Sequence, residues 1–108
     1  MIAPPETTIT TPPPPTVDSA ALHAELDDLF DQVWVDATRA GAGQRAEEIL
    51  GLSGLPRNLL ADAAAIAANV QQDQGNLNRA CELMRQARNR MPSRDSYGKS
   101  LVQWGCSP

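Results

Sequence analysis

The chain has 108 residues, a net charge of −4 at pH 7 and an aromatic content of 4%. A chain of this length holds one small domain with a modest core. Few aromatic residues and plentiful alanine favour closely packed helices over a β-sandwich or barrel, and no run alternates apolar and polar residues for long. The sequence therefore predicts an all-α protein of about five helices. Its acidity makes nucleic acid a poor partner.

Residues 1–17 differ in composition from the rest of the chain. They hold six of the nine prolines together with five threonines, and proline fixes φ and removes a backbone donor. This segment is predicted to be a disordered or extended polyproline-II tail, which leaves residues 18–108 as the helical domain. The run from Pro12 to Pro15 has two interpretations, a ligand for an aromatic-lined groove and a solvating leader.

The first helix is predicted to begin at Asp18 or Ser19, either of which can cap its free amides. Apolar residues then recur on one face with helical spacing. The helix should end at residues 40–43, where two glycines permit a turn. Trp34 lies beside the apolar face and either completes the core or lies at a surface. The predicted apolar face consists of Leu22, Leu26, Leu29, Phe30, Val33 and Ala37.

Four further helices are predicted, over residues 44–52, 57–73, 76–91 and 95–105. Gly75 permits the turn before the fourth helix, and Pro92 ends that helix. Ser93 or Asp95 caps the last one. The residues expected to be buried in the second, third and fourth helices are Ala46, Ile49, Leu50, Leu59, Leu60, Ala63, Ile66, Ala67, Val70, Leu77, Ala80, Met84 and Ala87.

The motif Gly-x-x-x-Arg-Ala-x-Glu occurs twice along these helices, at a spacing of 34 residues. The spacing equals the period of tetratricopeptide (TPR) repeats, about 34 residues. Residues 61–94 resemble such a repeat in their loop glycine, their small helix-facing residues and their closing proline. The resemblance implies antiparallel helix pairs over about 27–60 and 61–94, with a capping helix over 95–105 that covers the end of the stack. The two copies align as Gly41 with Gly75, Arg45 with Arg79, Ala46 with Ala80 and Glu48 with Glu82.

Neither the cysteines nor the single histidine indicates a chemical site. Cys81 is predicted to be a small core residue and Cys106 an exposed one, with no disulfide framework and no need for an oxidising compartment. His23 has no second histidine and no cysteine at a metal-ligand spacing. The sequence contains no glycine-rich phosphate loop and no nucleophile with a suitable acid–base partner. We therefore expect no catalytic residue, no metal and no cofactor, and we do not expect an enzyme.

Charge and hydropathy bear on compartment and partners. The sequence shows no basic and apolar leader, and its longest apolar run is too short to cross a membrane; these patterns predict a cytoplasmic protein without membrane insertion.

Residues 74–108 hold six basic residues against two acidic ones, whereas residues 1–73 hold eleven acidic residues against three arginines. The basic half is interpreted either as solvated helix faces or as a docking surface. No aromatic residue interleaves its arginines, so nucleic-acid binding is not expected.

TPR domains bind protein partners, and the resemblance implies the same function here. Their ligands lie in the concave surface formed by the first helix of each repeat. The carboxylate clamp of the family has a lysine at the position of Ala65. The groove implied here is acidic and lined with small residues, so it should repel an acidic peptide and suits an amphipathic helix better. The positions carried across from the family are Asp28, Asp31, Val35, Thr38 and Arg39 in the first repeat, and Asp62, Ala65, Asn69, Gln72 and Asp73 in the second.

Among small TPR-like proteins, the needle-subunit chaperones of bacterial type III secretion are similar to this chain over residues 43–91. That resemblance implies a chaperone that holds the amphipathic C-terminal helix of an assembly-prone filament subunit, beside a small co-chaperone. The alternative is a TPR adaptor or structural component that docks into a larger assembly and uses the proline-rich tail as a second contact.

Overall fold

The computed structural model describes residues 18–106, except the side chain of Asp36, and the predicted proline-rich tail lies outside that range. The described chain consists of five helices without a strand, which confirms the all-α prediction. Asp18 caps the first helix, because its carboxylate accepts a 3.1 Å hydrogen bond from the amide of Ala21. The helices are α1 (Ser19–Gln32), α2 (Asp36–Leu50), α3 (Arg57–Asp73), α4 (Leu77–Arg90) and α5 (Asp95–Gln103).

Helix α3 lies at the centre of the fold, between α2 and α4. Nine of its residues are buried, and six of these are alanines. Alanine side chains are small, so the helices on both sides can approach the α3 backbone closely, and no rotamer freedom is lost when they are buried. The larger buried residues of α3, including Leu59, Ile66 and Val70, fill the spaces that remain. The core is one continuous cluster to which all five helices contribute.

The closest approach of two helices is at Gly43 of α2. A β-carbon placed on Gly43 would lie 2.6 Å from Cγ1 of Val70 and 2.7 Å from its Cβ, far inside van der Waals contact. Gly41, two residues earlier in the same helix, has no other atom within 4 Å of such a carbon. Gly43 is therefore required by packing, while Gly41 is not.

The predicted end of the first helix at residues 40–43 is wrong. Helix α1 ends at Gln32, a turn follows at residues 33–35, and both glycines lie inside α2. Val35 takes an extended conformation, with φ −114° and ψ 110°, which suits a β-branched residue. The carbonyl groups freed at the turn accept new hydrogen bonds: the Thr38 hydroxyl donates to Gln32 and Val35, and Arg39 Nε donates to Val33.

Most of the predicted buried residues are buried, with exceptions near the helix ends. Because α1 ends early, Ala37 starts another helix and is exposed, and Phe30 is also exposed. Leu77 is exposed as well, since it is the first residue of α4 and extends past the end of α3. Leu50 and Leu60 are half-buried. Ala80 is fully buried, as predicted.

The predicted turn at Gly75 is confirmed. Gly75 has a φ of +87°, a left-handed conformation that glycine adopts without strain. The amide of Asn76 donates a 2.9 Å hydrogen bond back to the carbonyl of Gln71, which closes the end of α3. The fourth helix then begins at Leu77.

The two copies of the repeated motif make equivalent ion pairs. Arg45 and Arg79 each pair with the glutamate three residues later on the same helix, Glu48 or Glu82. Each also reaches a different helix: Arg45 Nε lies 2.6 Å from Glu25 of α1, and Arg79 lies 2.8 Å from Glu47 of α2. The hydrogen bond from Arg45 lowers the pKa of Glu25. The repeated arginine thus holds neighbouring helices together at both positions.

The sequence indicated no disulfide framework and an exposed Cys106, whereas the two cysteines are bonded and Cys106 is half-buried. Cys81 of α4 and Cys106 are bonded to each other, with their Cα atoms 5.7 Å apart. Their separation along the chain is 25 residues, and only the return of α5 along α4 brings them together. The pairing depends on that packing, which a spacing pattern does not reveal. Cys81 is buried, as predicted.

Candidate partner-binding groove

A concave site lies where α1, α3 and α5 meet, and we call it the groove. Its volume is about 220 Å³. Helix α3 supplies the floor with Ala65 and Ile66, α1 supplies one wall with Leu26 and Phe30, and α5 supplies the other with Tyr97. The small side chain of Ala65 leaves the space open. Its complete lining is Leu26, Asp27, Phe30, Asp62, Ala65, Ile66, Arg94, Ser96 and Tyr97.

A polar network fixes the α5 wall to the floor. Arg94 forms an ion pair with Asp62 and donates a 2.6 Å hydrogen bond to the hydroxyl of Tyr97. That hydroxyl in turn donates to Asp62 at 3.3 Å. Burial raises the pKa of Tyr97; burial alone would lower the pKa of Arg94, but the hydrogen bonds to Asp62 and Tyr97 raise it. The Asp62 carboxylate is therefore occupied by contacts within the protein.

An exposed pair of aromatic residues, which we call the aromatic lip, lies at the end of α1: Phe30 lines the groove, and Trp34 lies in the turn that follows the helix. Phe30 is 48% exposed and Trp34 is 66% exposed. Their rings meet edge to face, with centroids 6.2 Å apart, a favourable geometry for an aromatic pair. Exposed aromatic side chains of this size, placed beside a concavity, are typical of surfaces that bind another protein.

Carboxylates border the aromatic lip. Asp27 lines the groove next to Phe30, and Asp28 and Asp31 are exposed on the same helix. His23 lies 3.8 Å from Asp27 and would pair with it only when protonated. Asp28 accepts a 2.7 Å hydrogen bond from the side-chain amide of Gln32. Asp27 therefore gives the α1 wall a carboxylate, whereas Asp62 on the floor is balanced by Arg94.

The groove contains two of the predicted site residues, Asp62 and Ala65. Asp28 and Asp31 lie on α1 outside its lining, and Asn69 lies one turn further along α3, where its side chain donates to the carbonyl of Ala65 at 2.8 Å. Gln72 is exposed near the end of α3.

Val35 and Thr38 were expected on the first helix, and the structure places them elsewhere. Val35 lies in the α1–α2 turn and Thr38 in the first turn of α2. The error has one cause: the repeat spacing was applied to a helix that in fact ends at Gln32. Arg39, in the same part of α2, pairs with Asp73 at 2.5 Å and thereby joins α2 to α3.

The sequence prediction missed the contribution of α5 to the groove. The signal was present, because the 34-residue spacing that relates Asp28 to Asp62 also leads to Ser96, a lining residue. Arg94 and Tyr97 flank that position. The predicted role of the last helix, as a cover for the end of the stack, did not suggest that it also forms a wall.

A second concave surface lies between the end of α4 and the outer side of α5, and we call it the end surface. It has a volume of about 680 Å³. Val102, which is 81% exposed, is one of its lining residues, and Arg88 and Lys99 give it basic character. This surface corresponds to the basic half noted in the sequence. Its complete lining is Arg88, Pro92, Arg94, Asp95, Gly98, Lys99, Val102 and Gln103.

Within residues 18–106, no group of three or more histidine, cysteine, aspartate or glutamate side chains is arranged to hold a metal ion. None of the five helices in that range has the length and apolar content needed to span a bilayer. Comparison of the chain with protein-family models, with curated proteins and with solved structures finds no match. The TPR and secretion-chaperone resemblances therefore stay predictions from the sequence.

Proposed function

We propose that this protein is an interaction module, not an enzyme, whose groove binds an amphipathic helix of a partner protein. The observation that carries the proposal is the aromatic lip beside an open apolar floor. Phe30, which is 48% exposed, lines the cavity that Ala65 keeps open, and Trp34, which is 66% exposed, packs against Phe30. A core-forming role would bury these rings, whereas a binding role requires them to be accessible.

The size of the groove favours a side chain over a free small molecule. Sites for small molecules usually enclose about 300–1,000 Å³, and this groove encloses about 220 Å³. That volume accommodates one or two apolar side chains of a partner. A partner helix would place anchors at i, i+3, i+4 and i+7, with one anchor over Ala65 and others against the aromatic lip.

The charges around the groove indicate the chemistry of the partner. Asp27 lies in the α1 wall, Asp28 and Asp31 are exposed on α1 outside the lining, and the one basic residue of the lining, Arg94, is already paired with Asp62. A helix whose apolar stripe is flanked by lysine or arginine would be attracted to these carboxylates, and one flanked by glutamate would be repelled. This agrees with the sequence argument against an acidic peptide ligand.

Two narrower proposals remain for the biological role. One is a chaperone for an assembly-prone filament subunit, such as a type III secretion needle protein, with a small co-chaperone. The other is an adaptor that docks into a larger assembly. The Cys81–Cys106 bond bears on the choice, because disulfides form readily in oxidising compartments and are rare in the cytosol. It favours the adaptor, working in an oxidising compartment, over the predicted cytoplasmic chaperone.

The proposed function can be tested with a displayed library of helical peptides. Apolar residues are randomised at i, i+3, i+4 and i+7, and the flanking positions carry either lysine or glutamate. We expect selection on the purified protein to enrich lysine-flanked peptides that bind in the micromolar range. Ala65→Trp should abolish their binding by filling the groove, and Phe30→Ser should weaken it about tenfold or more by removing an aromatic anchor.

The control is Val102→Ser, which changes the end surface and should leave peptide affinity unchanged. Circular dichroism melting of each variant establishes that the domain stays folded. The proposal fails if no peptide is enriched, or if folded Ala65→Trp binds the enriched peptides with the parental affinity.

A further inference from the structure

We infer that the Cys81–Cys106 disulfide is a reversible redox site whose reduction releases α5 and dismantles one wall of the groove. The release of α5 rests on the structure alone. Its effect on a bound partner rests, in addition, on the proposed function of the groove.

The bond closes the C-terminal end of α5 onto α4. Gly105, with a φ of +73°, reverses the chain after α5. The amide of Cys106 then donates a 2.9 Å hydrogen bond to the carbonyl of Leu101, and its sulfur reaches Cys81 in the second turn of α4. Helix α5 is therefore tied to the domain at both ends, by the bond at one end and by the Arg94–Asp62 pair at the other.

Without the bond, few contacts hold α5 in place. The helix has nine residues and buries only two of them, Tyr97 and Leu101. Isolated helices shorter than about 12–15 residues are marginal in water, so α5 depends on docking for its structure. A covalent link across 25 residues greatly reduces the entropy of the undocked chain. Removing the link shifts the balance towards undocked α5.

The disulfide borders a concavity that opens to solvent. Cys81 is only 6% exposed, but Cys106 is half-buried. Both cysteines line a surface concavity of about 340 Å³, together with Leu77, Asn78 and Gly105. An incoming thiolate can approach the disulfide through this opening, and Cys106 is the more exposed of the two cysteines.

The chemical step is a thiol–disulfide exchange with a dithiol reductant. The first thiolate attacks the Cys106 sulfur, the Cys81–Cys106 bond breaks, and Cys81 leaves as a thiolate that takes up a proton. The second thiol of the reductant then displaces Cys106 from the mixed disulfide. Both cysteines end as thiols, having gained two electrons and two protons, and the reductant ends as a disulfide.

The consequence for the groove follows from which side chains α5 supplies. Ser96 and Tyr97 lie on α5 and Arg94 immediately precedes it. When α5 undocks, the groove loses this wall and becomes an open cleft between α1 and α3. Asp62 also loses Arg94, so the floor gains an unpaired carboxylate where the apolar anchor of a partner would lie. Reduction should therefore weaken partner binding.

Amide hydrogen exchange followed by mass spectrometry tests the release directly, without any partner. The full chain is compared in its oxidised form and after reduction with dithiothreitol, with thiols counted by alkylation. We expect no free thiol before reduction and two afterwards. Exchange over residues 95–103 should accelerate by at least about tenfold on reduction, while the middle of α3 keeps its protection. Cys106→Ser should exchange like the reduced protein whether or not dithiothreitol is present.

A binding measurement distinguishes the redox proposal from the proposed function of the groove. A lysine-flanked peptide enriched on the oxidised protein should bind the reduced protein at least about tenfold more weakly. The inference is overturned if the oxidised protein already has two free thiols, if dithiothreitol releases none, or if α5 exchanges at the same rate in both forms. If α5 is released on reduction but no peptide binds either form, the redox site stands and the proposed function fails.

Discussion

The centre of the molecule and its two flanking helices are built differently. Helices α2, α3 and α4 meet through alanines and through Gly43, and a single added carbon at that glycine would overlap Val70. Helices α1 and α5 make fewer contacts with the rest of the chain. Cross-links stabilise their positions: the Arg45–Glu25 pair for α1, and the disulfide with the Arg94–Asp62 pair for α5.

This contrast indicates that the residues that determine stability differ from those that determine binding. A closely packed interior tolerates little change, because any altered volume is felt directly. The flanking helices, in contrast, leave the aromatic lip exposed and the groove open between them. Substitutions in the centre should therefore reduce stability, whereas substitutions in the groove should change binding while the domain stays folded.

The largest expected effect comes from a charge in the centre. Ala80 is fully buried in α4, so Ala80→Glu would place an unpaired carboxylate in the core at a cost of about 3–5 kcal/mol. That cost rivals the whole stability of a small domain, and we expect cooperative thermal unfolding to disappear in circular dichroism. Ala24→Glu, at an exposed position of α1, is the matched control and should melt within a few degrees of the parent. Parental melting of Ala80→Glu would show that the centre is loosely packed.

The next effect concerns the disulfide on the flank. The double variant Cys81→Ser with Cys106→Ser should lose about 2–4 kcal/mol of unfolding free energy in urea titrations. Dithiothreitol should produce a comparable loss in the parent and none in the variant. Equal stability of the parent with and without the reductant would mean that the bond contributes nothing to the fold.

Two glycine substitutions in α2 should change the stability of the domain by smaller amounts and in opposite directions. Together they distinguish the effect of packing from that of helix propensity. Gly43→Ala forces a carbon against the branched Val70 side chain and should destabilise the domain by about 1–3 kcal/mol. Gly41→Ala meets open space in the same helix and should stabilise it by about 0.5–1 kcal/mol. Both are measured by urea unfolding. If both substitutions stabilised the protein, α2 and α3 would be further apart than described.

The smallest effect is the pH dependence of the α1 cross-link. The hydrogen bond from Arg45 lowers the pKa of Glu25 below its ordinary value of 4.5. The pair therefore contributes stability above pH 4.5, and the contribution is lost as the pH falls through the lowered value. Because the pair is partly exposed, its contribution should be below about 1 kcal/mol. Glu25→Gln should reduce the acid-side slope of stability against pH, and an unchanged slope would contradict this role.

The sequence predicted those features that depend on local chemistry. The third helix, the Gly75 turn, the Asp18 cap and the burial of Ala80 all follow from periodicity, capping and turn residues. The end of α1 was mispredicted because a glycine has two uses: Gly43 allows close packing of helices here, not a turn. Choosing between them requires knowing which helix lies opposite.

The groove was only partly predictable for a similar reason. Asp62 and Ala65, which the repeat spacing indicated, both line it, because α3 has the predicted bounds. Its other parts depend on where α1 ends and on how α5 folds back. The same return of α5 brings Cys106 to Cys81, and no spacing rule for cysteines gives that pairing in a helical protein.

An amide-resolved NMR titration tests the central claim most directly. The isotopically labelled full chain, in its oxidised form, is titrated with the tightest lysine-flanked peptide from the library selection. The account predicts saturable shifts confined to the groove, at Phe30, Ala65, Ser96 and Tyr97, with the α2 amides unchanged. Shifts that centre on Lys99 and Val102 of the end surface, or no saturable shift at all, would contradict it.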